Sequence, residues 1–419
     1  MIKQHLQIKI VDSPIFWSVL FNLSIIINLF NFYTLDLIYA GLFGLGALMA
    51  ISGKLNNFCD AFYLTRNPFN ILLAIFCSSG VVGYLIASPM SKNQWSEILE
   101  LRWVFGFYAC YFLGRQLKNT NASLNLSSSA LLVAVFYLLY HHWTQFGIFL
   151  DPDSRLQGFY QNANHLALTL VLLIAFLIGR VSIPQNANKS LFIDFITLSI
   201  FGVAILATYS RSSWAGSVAA FIFALFYARN KTLKISALIL TTTMFILLLV
   251  NAFGVKDRLL YTLDMSASGA QEMRMTAWKV NWQIFLDHPL FGVGFAENAR
   301  LYPEYYRKLG FNADFIVGNA HNQYLEILSG AGALGLLSYM GIFITAYIFF
   351  HHSYKITNNL NRKRIALSAL LIIVALMVSS LTDTPMRLHE SRNYLMILLG
   401  VSLGYLSNNT VSKHTLPNS

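Results

Sequence analysis

The sequence predicts an all-α integral membrane protein with about twelve transmembrane helices and one large loop outside the membrane. Apolar residues occupy 56% of the 419 positions, whereas charged residues occupy 11%. Soluble globular chains carry about 25% charged residues, so this composition excludes that class. A helix needs about 20 mostly apolar residues to cross a hydrocarbon core ~30 Å thick, and such segments recur along the chain.

Short links separate most of the apolar segments, and residues 253–320 are the one long water-compatible stretch. We therefore divide the chain into three parts. Residues 1–252 hold nine transmembrane helices, 253–320 form the external loop with interfacial helices, and 321–419 hold three more helices and a short tail. The predicted spans lie near 14–30, 35–52, 69–88, 98–114, 127–146, 164–180, 191–208, 212–228, 234–252, 332–350, 365–382 and 392–406.

The apolar stretch 191–228 is too long for a single span. As one helix it would measure ~57 Å, almost twice the thickness of the membrane core. The polar residues at 209–213 offer the only turn, which places Arg211 at the outer membrane boundary. A charge costs roughly 2.5–3.5 kcal/mol at the centre of a span and less toward its ends. Serine or asparagine would make the turn at lower cost, so Arg211 is a candidate functional residue.

Lysine and arginine are concentrated in the N-terminal segment and in alternate links, such as those around Arg115, Arg229 and Arg362. Cytoplasmic links are enriched in these residues, so we expect both termini in the cytoplasm and the 253–320 loop outside. The net charge of +11 follows from this topology rather than from a nucleic-acid partner, because the sequence has no basic stripe with interleaved aromatics. The three cysteines form neither a disulfide framework nor a metal-ligand spacing.

The external loop is predicted to contain two helices. Residues 272–286 carry apolar side chains at helical spacing, and beside them runs a stripe of Arg274 with two tryptophans. Such a stripe suits a helix at the level of the lipid headgroups. Anchoring explains the tryptophans and leaves Arg274 either as a snorkelling cation or as a functional residue. A tight turn at 292–294 and a short helix at 297–309 follow.

A polar cluster at 318–326 ends the loop and contains His321. We expect a helix to begin there with Asn319 as its N-cap, so that the helix dipole keeps the imidazole neutral. A neutral imidazole is what a general base requires, although an incidental loop histidine remains the alternative. Asn322 and Glu326 would share one helix face. Glu326 lies about 140° around the helix from His321 and is not expected to orient its ring directly.

Two weaker sets of candidates lie on the same outer face. Arg155, Asn164 and His165 precede the sixth span, where they could bind a glycan or cap the helix. Capping is the favoured interpretation of Asn162 or Asn164. Asp383 and Arg387 lie between the last two spans. They are either part of the site or a structural ion pair.

These motifs, taken in order, resemble those of the O-antigen ligase and polymerase superfamily, over roughly residues 150–345. Any one of them is weak, whereas the ordered set is specific to the superfamily. The matching residues are Arg155, Gly158, Phe159, Asn162, Asn164, His165, Ser210, Arg211, Arg274, Trp278, the His-Pro-Leu-Phe-Gly-Val-Gly run at 288–294, His321, Asn322, Tyr324, Leu325, Glu326, Gly330, Gly332, Leu334 and Gly335.

The resemblance implies a GT-C-like membrane glycosyltransferase whose donor is a glycan linked to undecaprenyl diphosphate. Ligases of this kind pass the glycan to the lipid A–core oligosaccharide, on the periplasmic face of the Gram-negative inner membrane, without a metal or another cofactor. Arg211 and Arg274 match the diphosphate-binding arginines of the superfamily, and His321 matches its proposed catalytic histidine. The implied partners are therefore the lipid-linked donor, the lipid A–core acceptor and the surrounding membrane lipids.

Three alternatives remain open at the level of sequence. Within the superfamily, an O-antigen polymerase and a protein O-oligosaccharyltransferase share these motifs, which do not encode the acceptor. A transporter or flippase is the alternative from another class, because twelve spans with both termini inside are common there. Transporters usually place polar groups near the membrane midplane. The predicted spans are nearly free of charge apart from Arg102, which favours glycan transfer.

Overall fold

The computed structural model of the protein shows an all-helical architecture. It describes residues 14–29, 68–87, 101, 103–117, 120–147, 153–183, 188–227, 269–312 and 316–407. Within these ranges every regular element is a helix and no strand occurs. The helices are α1 (Pro14–Leu29), α2 (Pro68–Ala87), α3 (Trp103–Gln116), α4 (Thr120–Phe146), α5 (Ala163–Val181), α6 (Asn188–Ala207), α7 (Arg211–Tyr227), α8 (Gly269–Asp287), α9 (Asn298–Lys308), α10 (Gln323–Ile356), α11 (Leu360–Ser379) and α12 (His389–Ser407).

Ten of the twelve predicted spans overlap described helices, and the other two, 35–52 and 234–252, lie outside the described residues. By length and composition, three of the described helices could each cross a membrane, namely α2, α5 and α10. Most of α6, Phe192–Ala207, is apolar but shorter. These apolar helices are typical of a multi-pass membrane protein.

Helix α5 is the centre of the bundle. It packs against α6, α7, α11 and α12, and every residue from Leu166 to Val181 is buried. At the end of α5 away from Ala163, Arg180 Nη2 lies 3.0 Å from Asp194 Oδ2 on α6. Ser128 of α4 donates a hydrogen bond of 2.7 Å to the other carboxylate oxygen. A buried charge needs such a partner, and this ion pair fixes three helices at one end of the bundle.

Helices α3 and α12 touch backbone to backbone. A Cβ atom placed on Gly404 would lie 1.9 Å from the carbonyl oxygen of Tyr111, and one on Gly114 would lie 2.2 Å from that of Val401. Small residues allow this approach, and close packing replaces the hydrophobic driving force that helices lack in lipid. The glycines therefore hold α12, and the link that precedes it, against the bundle.

Helix α10 begins at Gln323, nine residues before the predicted span at 332–350, and it is broken at Gly332. Gly332 has φ 68° and ψ −169°, a backbone conformation that residues other than glycine rarely adopt. A Cβ atom there would lie 2.3 Å from the carbonyl group of Leu290. The break thus divides α10 into a short part before Gly332, called the outer part, and a long part after it, called the inner part.

The loop segment 289–294 fills this break and supplies the hydrogen bonds that a continuous helix would have made. The backbone N–H groups of Val293 and Gly294 donate to the carbonyls of Ser329 and Gly330, at 3.0 and 2.7 Å. An unpaired backbone group is costly where no water can reach it. The segment 289–294 therefore takes part in the packing of the helix bundle.

The exchange at the break is reciprocal. The N–H groups of Ala333 and Leu334 donate to the carbonyls of Pro289 and Leu290, at 2.9 and 3.3 Å. In an unbroken helix these two donors would have paired with the carbonyls four residues earlier. The predicted span at 332–350 begins at this break, and the part of α10 before the break is held by contacts with the loop.

The two loop helices form as the sequence predicts. Ala277, Val280 and Ile284 of α8 are fully buried, in agreement with their helical spacing, while Trp282 is 49% exposed. Helix α9 ends just before Gly310, which has φ 73°. Both helices therefore pack as amphipathic elements, with one face turned toward α10.

A buried polar network joins α8 and α9 to α10. Asn298 Nδ2 donates to Asn281 Oδ1 at 2.8 Å and to Ser329 Oγ at 3.1 Å. Ser329 Oγ donates to Asn281 Oδ1 at 2.7 Å, and Asn281 Nδ2 donates to the hydroxyl of Tyr302 at 2.7 Å. Buried amides are stable only when they are hydrogen-bonded. The network fixes the loop helices on the outer end of α10.

Candidate active site

His321 lies in the link before α10, with its side chain 25% exposed. Its backbone has φ 47°, in the left-handed region that residues other than glycine rarely adopt. The prediction that Asn319 caps the helix is wrong. Asn322 is the N-cap, because its side chain accepts from the N–H groups of Tyr324 and Leu325, both at 3.0 Å. Asn319 Oδ1 accepts instead from the N–H of His321 at 2.8 Å, in a local turn.

The sequence had indicated that Asn322 and Glu326 share one helix face. They do not, because Asn322 precedes the helix. Its carbonyl accepts from the N–H of Glu326 at 2.9 Å, within the first turn of α10. Its side-chain amide donates to the carbonyl of Leu381 at 3.0 Å, in the link between α11 and α12. Asn322 therefore joins the start of α10 to that link.

Asp383, from the same link, faces the ring of His321. Its Oδ1 atom lies 3.9 Å from His321 Nδ1, and the residue is only 5% exposed. Oδ1 also accepts from the N–H of Thr384 at 3.0 Å, and Oδ2 accepts from the hydroxyl of Ser212 at 3.4 Å. One buried carboxylate thus brings together the histidine, the α11–α12 link and the start of α7.

Arg211 is the first residue of α7, next to Ser212, and it is partly exposed. The predicted reversal of the chain is confirmed, since α6 ends at Ala207 and α7 begins at Arg211. Tyr209 makes the turn with φ 50°, and Trp214 Nε1 donates to the carbonyl of Ile205 at 2.9 Å across it. The turn therefore holds the guanidinium at the end of the bundle where Asp383 and His321 lie.

The expected ion pair between Asp383 and Arg387 does not form. Arg387 Nη1 pairs with Oε1 of Glu326 on α10, while Asp383 faces His321 and Ser212. The intervening residues wrap around the start of α10, so the two side chains of the link reach different partners. The other oxygen of Glu326 accepts from the backbone N–H of Ala320 at 2.8 Å.

The link before α5 is attached to the same end of the bundle. Arg155 Nε donates to the carbonyl of Thr208 at 2.7 Å, and its Nη2 donates to Asn164 Oδ1 at 2.5 Å. Asn162 caps α5 by accepting from the N–H groups of Asn164 and His165, which confirms capping for that asparagine. His165 Nδ1 lies 3.8 Å from Glu390 Oε1 on α12. Arg155 thus supports the turn that carries Arg211.

Arg274 lies on α8, seven residues before Asn281 and therefore two helical turns away on the same face. Asn281 contacts Ser329 of α10, so this face of α8 is turned toward the outer part of α10. Within the described part of the chain, no side-chain hydrogen bond or ion pair joins Arg274 to another residue. Its approach to Arg211 and His321 stays a prediction.

An ion pair joins the two loop helices to each other. Asp287 Oδ2 accepts from Lys308 Nζ at 2.5 Å and from the hydroxyl of Tyr305 at 2.8 Å, and Gln283 Nε2 donates to Oδ1 at 3.0 Å. The hydrogen bond from Lys308, with those from Tyr305 and Gln283, holds the pKa of Asp287 below its usual value of 3.8. This carboxylate joins the end of α8 to α9.

Sequence reasoning missed two parts of this site. The hydroxyl of Ser212 and the bond from Ala320 to Glu326 both depend on segments that are distant along the chain. A signal existed for the first, because Ser212 belongs to the polar turn that already marked Arg211. Among the described residues, no group of three or more histidine, cysteine, aspartate or glutamate side chains is arranged to hold a metal ion.

Part of the chain matches a known protein family. Residues 196–340 match the model of the family described as O-antigen ligase, Wzy_C, which confirms the resemblance over that segment. The matched segment runs from α6 into α10 and includes Arg211, Arg274 and His321. No curated protein matches the chain.

Proposed function

Residues 196–340 carry an O-antigen ligase domain, and we propose from this premise that the protein transfers a glycan from undecaprenyl diphosphate to a hydroxyl of the lipid A–core oligosaccharide. The family's activity is membrane glycan transfer of the ligase or polymerase type, with lipid-linked glycans as substrates. The observation that carries the proposal is the contact of Asp383 with both His321 and Ser212, because it joins a candidate base to the turn that holds Arg211.

The first requirement of the reaction is to stabilise the leaving diphosphate. Arg211 keeps its charge at every physiological pH, and its planar guanidinium pairs with two phosphate oxygens at once. It begins α7, whose N-terminal N–H groups also favour an anion. Arg274 is proposed as the second cation, carried on α8 beside the outer part of α10. Preorganised positive groups of this kind stabilise the charge that develops as the bond breaks.

The second requirement is a base for the acceptor hydroxyl. His321 Nδ1 faces Asp383, which leaves Nε2 as the ring nitrogen for the acceptor. Asp383 favours the tautomer with the proton on Nδ1 and stabilises the imidazolium that forms. At 3.9 Å this contact is longer than a hydrogen bond, and catalytic hydrogen bonds are often long until the substrate is bound.

In the proposed step, the acceptor oxygen attacks the anomeric carbon of the donor sugar from the face opposite the diphosphate. A new glycosidic C–O bond forms while the bond to the phosphate oxygen breaks. The electron pair of that bond leaves with undecaprenyl diphosphate, and the acceptor proton passes to Nε2 of His321. Attack from the opposite face inverts the anomeric centre.

We further propose that both termini face the cytoplasm and that the site faces the periplasm, in the inner membrane of a Gram-negative bacterium. The basic residues of the alternate links support this orientation. The candidate residues whose side-chain contacts are described above all lie at the end of the bundle that carries the loop helices. The Arg180–Asp194 pair marks the other end of α5. A donor held at headgroup depth would keep its lipid tail in the bilayer.

The proposal is tested by transfer assays with the purified protein in lipid nanodiscs, with an undecaprenyl-diphosphate-linked glycan and a lipid A–core acceptor. We expect Arg211→Ala and His321→Ala each to lower kcat for transfer by about 100-fold or more while the proteins insert normally. Arg307→Ala is the matched control, since Arg307 is an exposed arginine of the loop whose side chain, among the described residues, bonds only to its own helix. Retained transfer in both site variants would remove the proposal.

The acceptor distinguishes a ligase from a polymerase. Loss of a ligase in cells leaves bare core oligosaccharide while polyprenyl-linked chains accumulate. Loss of a polymerase leaves core that carries single repeat units. We expect the first pattern from a deletion strain, and complementation with the intact chain should restore long chains on the core. The second pattern would assign the polymerase reaction to the same site.

A further inference from the structure

We propose that Glu326, held by Arg387, is the positioning residue that fixes the backbone of His321 and its separation from Asp383. The inference rests on the proposed function, because it assigns these two residues a role in the same transfer. Neither side chain is proposed to touch the donor or the acceptor. Their effect on the reaction passes through the imidazole of His321.

The backbone of His321 needs such support. With φ 47°, the residue occupies a region that is unfavourable for an L side chain. Strained residues of this kind persist only where their surroundings determine the conformation, and they cluster at functional sites. Asn319 supports one side of the strained residue by accepting from its N–H at 2.8 Å. The backbone N–H of Ala320, one residue earlier, also needs a hydrogen-bond acceptor.

Glu326 supplies that acceptor. The N–H of Ala320 donates to Glu326 Oε2 at 2.8 Å, and Ala320 is completely buried. Without the carboxylate, this N–H would be a buried donor with no partner. Oε1 is engaged by Nη1 of Arg387, so both oxygens of the carboxylate are held. Glu326 is only 7% exposed, which leaves it poorly placed to bind a sugar hydroxyl.

Arg387 also determines where Asp383 lies. Both residues belong to the link between α11 and α12, and besides the bond from Asn322 to Leu381, the link is bound to Gln323 at two points. Met386 N–H donates to Gln323 Oε1 at 2.8 Å, and Gln323 N–H donates to the carbonyl of Ser380 at 2.9 Å. Attachment of Arg387 to Glu326 therefore holds the link, and with it the Asp383 carboxylate, against the His321 loop.

Two other roles for the Glu326–Arg387 pair make different predictions. A pair that only stabilises the fold needs opposite charges in either order. A pair that positions His321 needs an acceptor at residue 326, because Ala320 presents a donor. A glutamate that reads the sugar would affect donor binding rather than turnover.

The experiment compares transfer kinetics in nanodiscs for Glu326→Gln, Glu326→Ala, Arg387→Lys and the exchange Glu326→Arg with Arg387→Glu. Glutamine keeps an acceptor for Ala320, so we expect kcat to fall less for Glu326→Gln than for Glu326→Ala. For the alanine variant we expect a loss on the order of 100-fold, the size of effect that a misplacement of about 1 Å produces. The donor KM should stay unchanged in both, and Arg387→Lys should keep more of kcat than Glu326→Ala.

The charge exchange is the decisive variant. It restores two opposite charges but removes the acceptor for Ala320, so we expect no recovery of kcat. Recovery would show an ion pair with a purely structural role and would overturn the proposal. An increase in donor KM with kcat unchanged in Glu326→Gln would overturn it in favour of sugar binding. Equal kcat for the glutamine and alanine variants would also contradict it.

Two controls separate this inference from the proposed function. Glu297→Gln alters another buried glutamate that pairs with an arginine, Arg300, and it should transfer like the wild type. If the charge exchange does not fold, as judged by thermal unfolding, the glutamine and Arg387→Lys variants decide the question. Wild-type protein that transfers no glycan would defeat the proposed function itself. Active wild type with fully active Glu326→Ala would defeat only the positioning role.

Discussion

Asp383 Oδ1 lies 3.9 Å from Nδ1 of His321, although His321 precedes α10 along the chain and Asp383 follows α11. The same carboxylate accepts from Ser212, the neighbour of Arg211. Three segments that are far apart along the chain therefore meet at one buried acidic group. The relationship gives the candidate base a neighbouring carboxylate and joins it to the turn that carries Arg211, the cation proposed to hold the diphosphate.

Asp383→Asn tests the orienting role of this carboxylate. An amide does not favour the imidazolium that forms during proton transfer, so kcat should fall by roughly 100-fold or more. The donor KM should change little, because Asp383 is buried behind the histidine ring. Steady-state transfer kinetics in nanodiscs measure both quantities. Full activity of this variant would show that His321 acts without Asp383 or does not act as the base.

Arg211→Lys tests whether the geometry of the guanidinium is needed in addition to its charge. Lysine supplies a point charge without the two parallel donors, so activity should fall between those of the wild type and Arg211→Ala. For the alanine variant we expect a loss of about 10²–10³ in kcat, typical of one removed donor that stabilises developing charge. Transfer rates at saturating donor measure the effect. Equal rates for lysine and arginine would assign Arg211 a purely electrostatic role.

Gly332→Ala tests the break in α10. The added Cβ would lie 2.3 Å from the Leu290 carbonyl group, and the backbone has φ 68°, so we expect a destabilisation of about 1–3 kcal/mol or more. Gly202→Ala on α6 is the matched control. Among the described residues, apart from its chain neighbours and its own helix backbone, no atom lies within 4 Å of its added Cβ. Alanine is favoured over glycine in a helix by about 0.5–1 kcal/mol.

Unfolding of both glycine variants in detergent micelles gives the comparison. The Gly332 variant should unfold at a lower temperature than the wild type, and the Gly202 variant at an equal or higher one. If both variants unfold like the wild type, the loop segment 289–294 does not occupy the break in the detergent-solubilised protein.

The ion pair of Asp287 predicts a pH dependence in the loop helices. Its pKa is lowered in the folded protein, chiefly by the hydrogen bond from Lys308. A carboxyl group with a lowered pKa stabilises the fold above its unfolded value, near 3.8, and this stability is lost as the pH falls through the folded value. Hydrogen exchange of α8 and α9 should therefore accelerate below about pH 4.

Asp287→Asn should remove this acid sensitivity while it leaves exchange in α5 unchanged, since α5 is remote from the loop. The effect is expected to be small because the pair lies at the surface, where ion pairs contribute little. Identical exchange profiles for the wild type and the variant between pH 3 and pH 6 would contradict the prediction.

The local physics of the sequence predicted much of the fold. Span length required a reversal near Arg211, and helical spacing identified the buried face of α8 through Ala277, Val280 and Ile284. Both features depend on residues that are neighbours along the chain. They therefore needed no knowledge of which helices pack together.

Side-chain partners on different helices and links could not be predicted from the sequence in the same way. Asp383 and Arg387 looked like a pair because they are close in sequence, yet the link wraps around α10 and sends them to His321 and Glu326. Helix α10 is also broken at Gly332, which the sequence did not predict. Its outer part is short and takes its hydrogen bonds at Ser329 from the loop rather than from the helix itself.

The break at Gly332 has a consequence for protein engineering. The carbonyls of Ser329 and Gly330 depend on donors from the loop, so the loop is not a module that can be excised or exchanged on its own. A chimera that imports the loop of a related protein should also import the residues through Leu334 as one unit. Membrane insertion of the last helices would likewise be completed only after the preceding segment 289–294 has packed against α10.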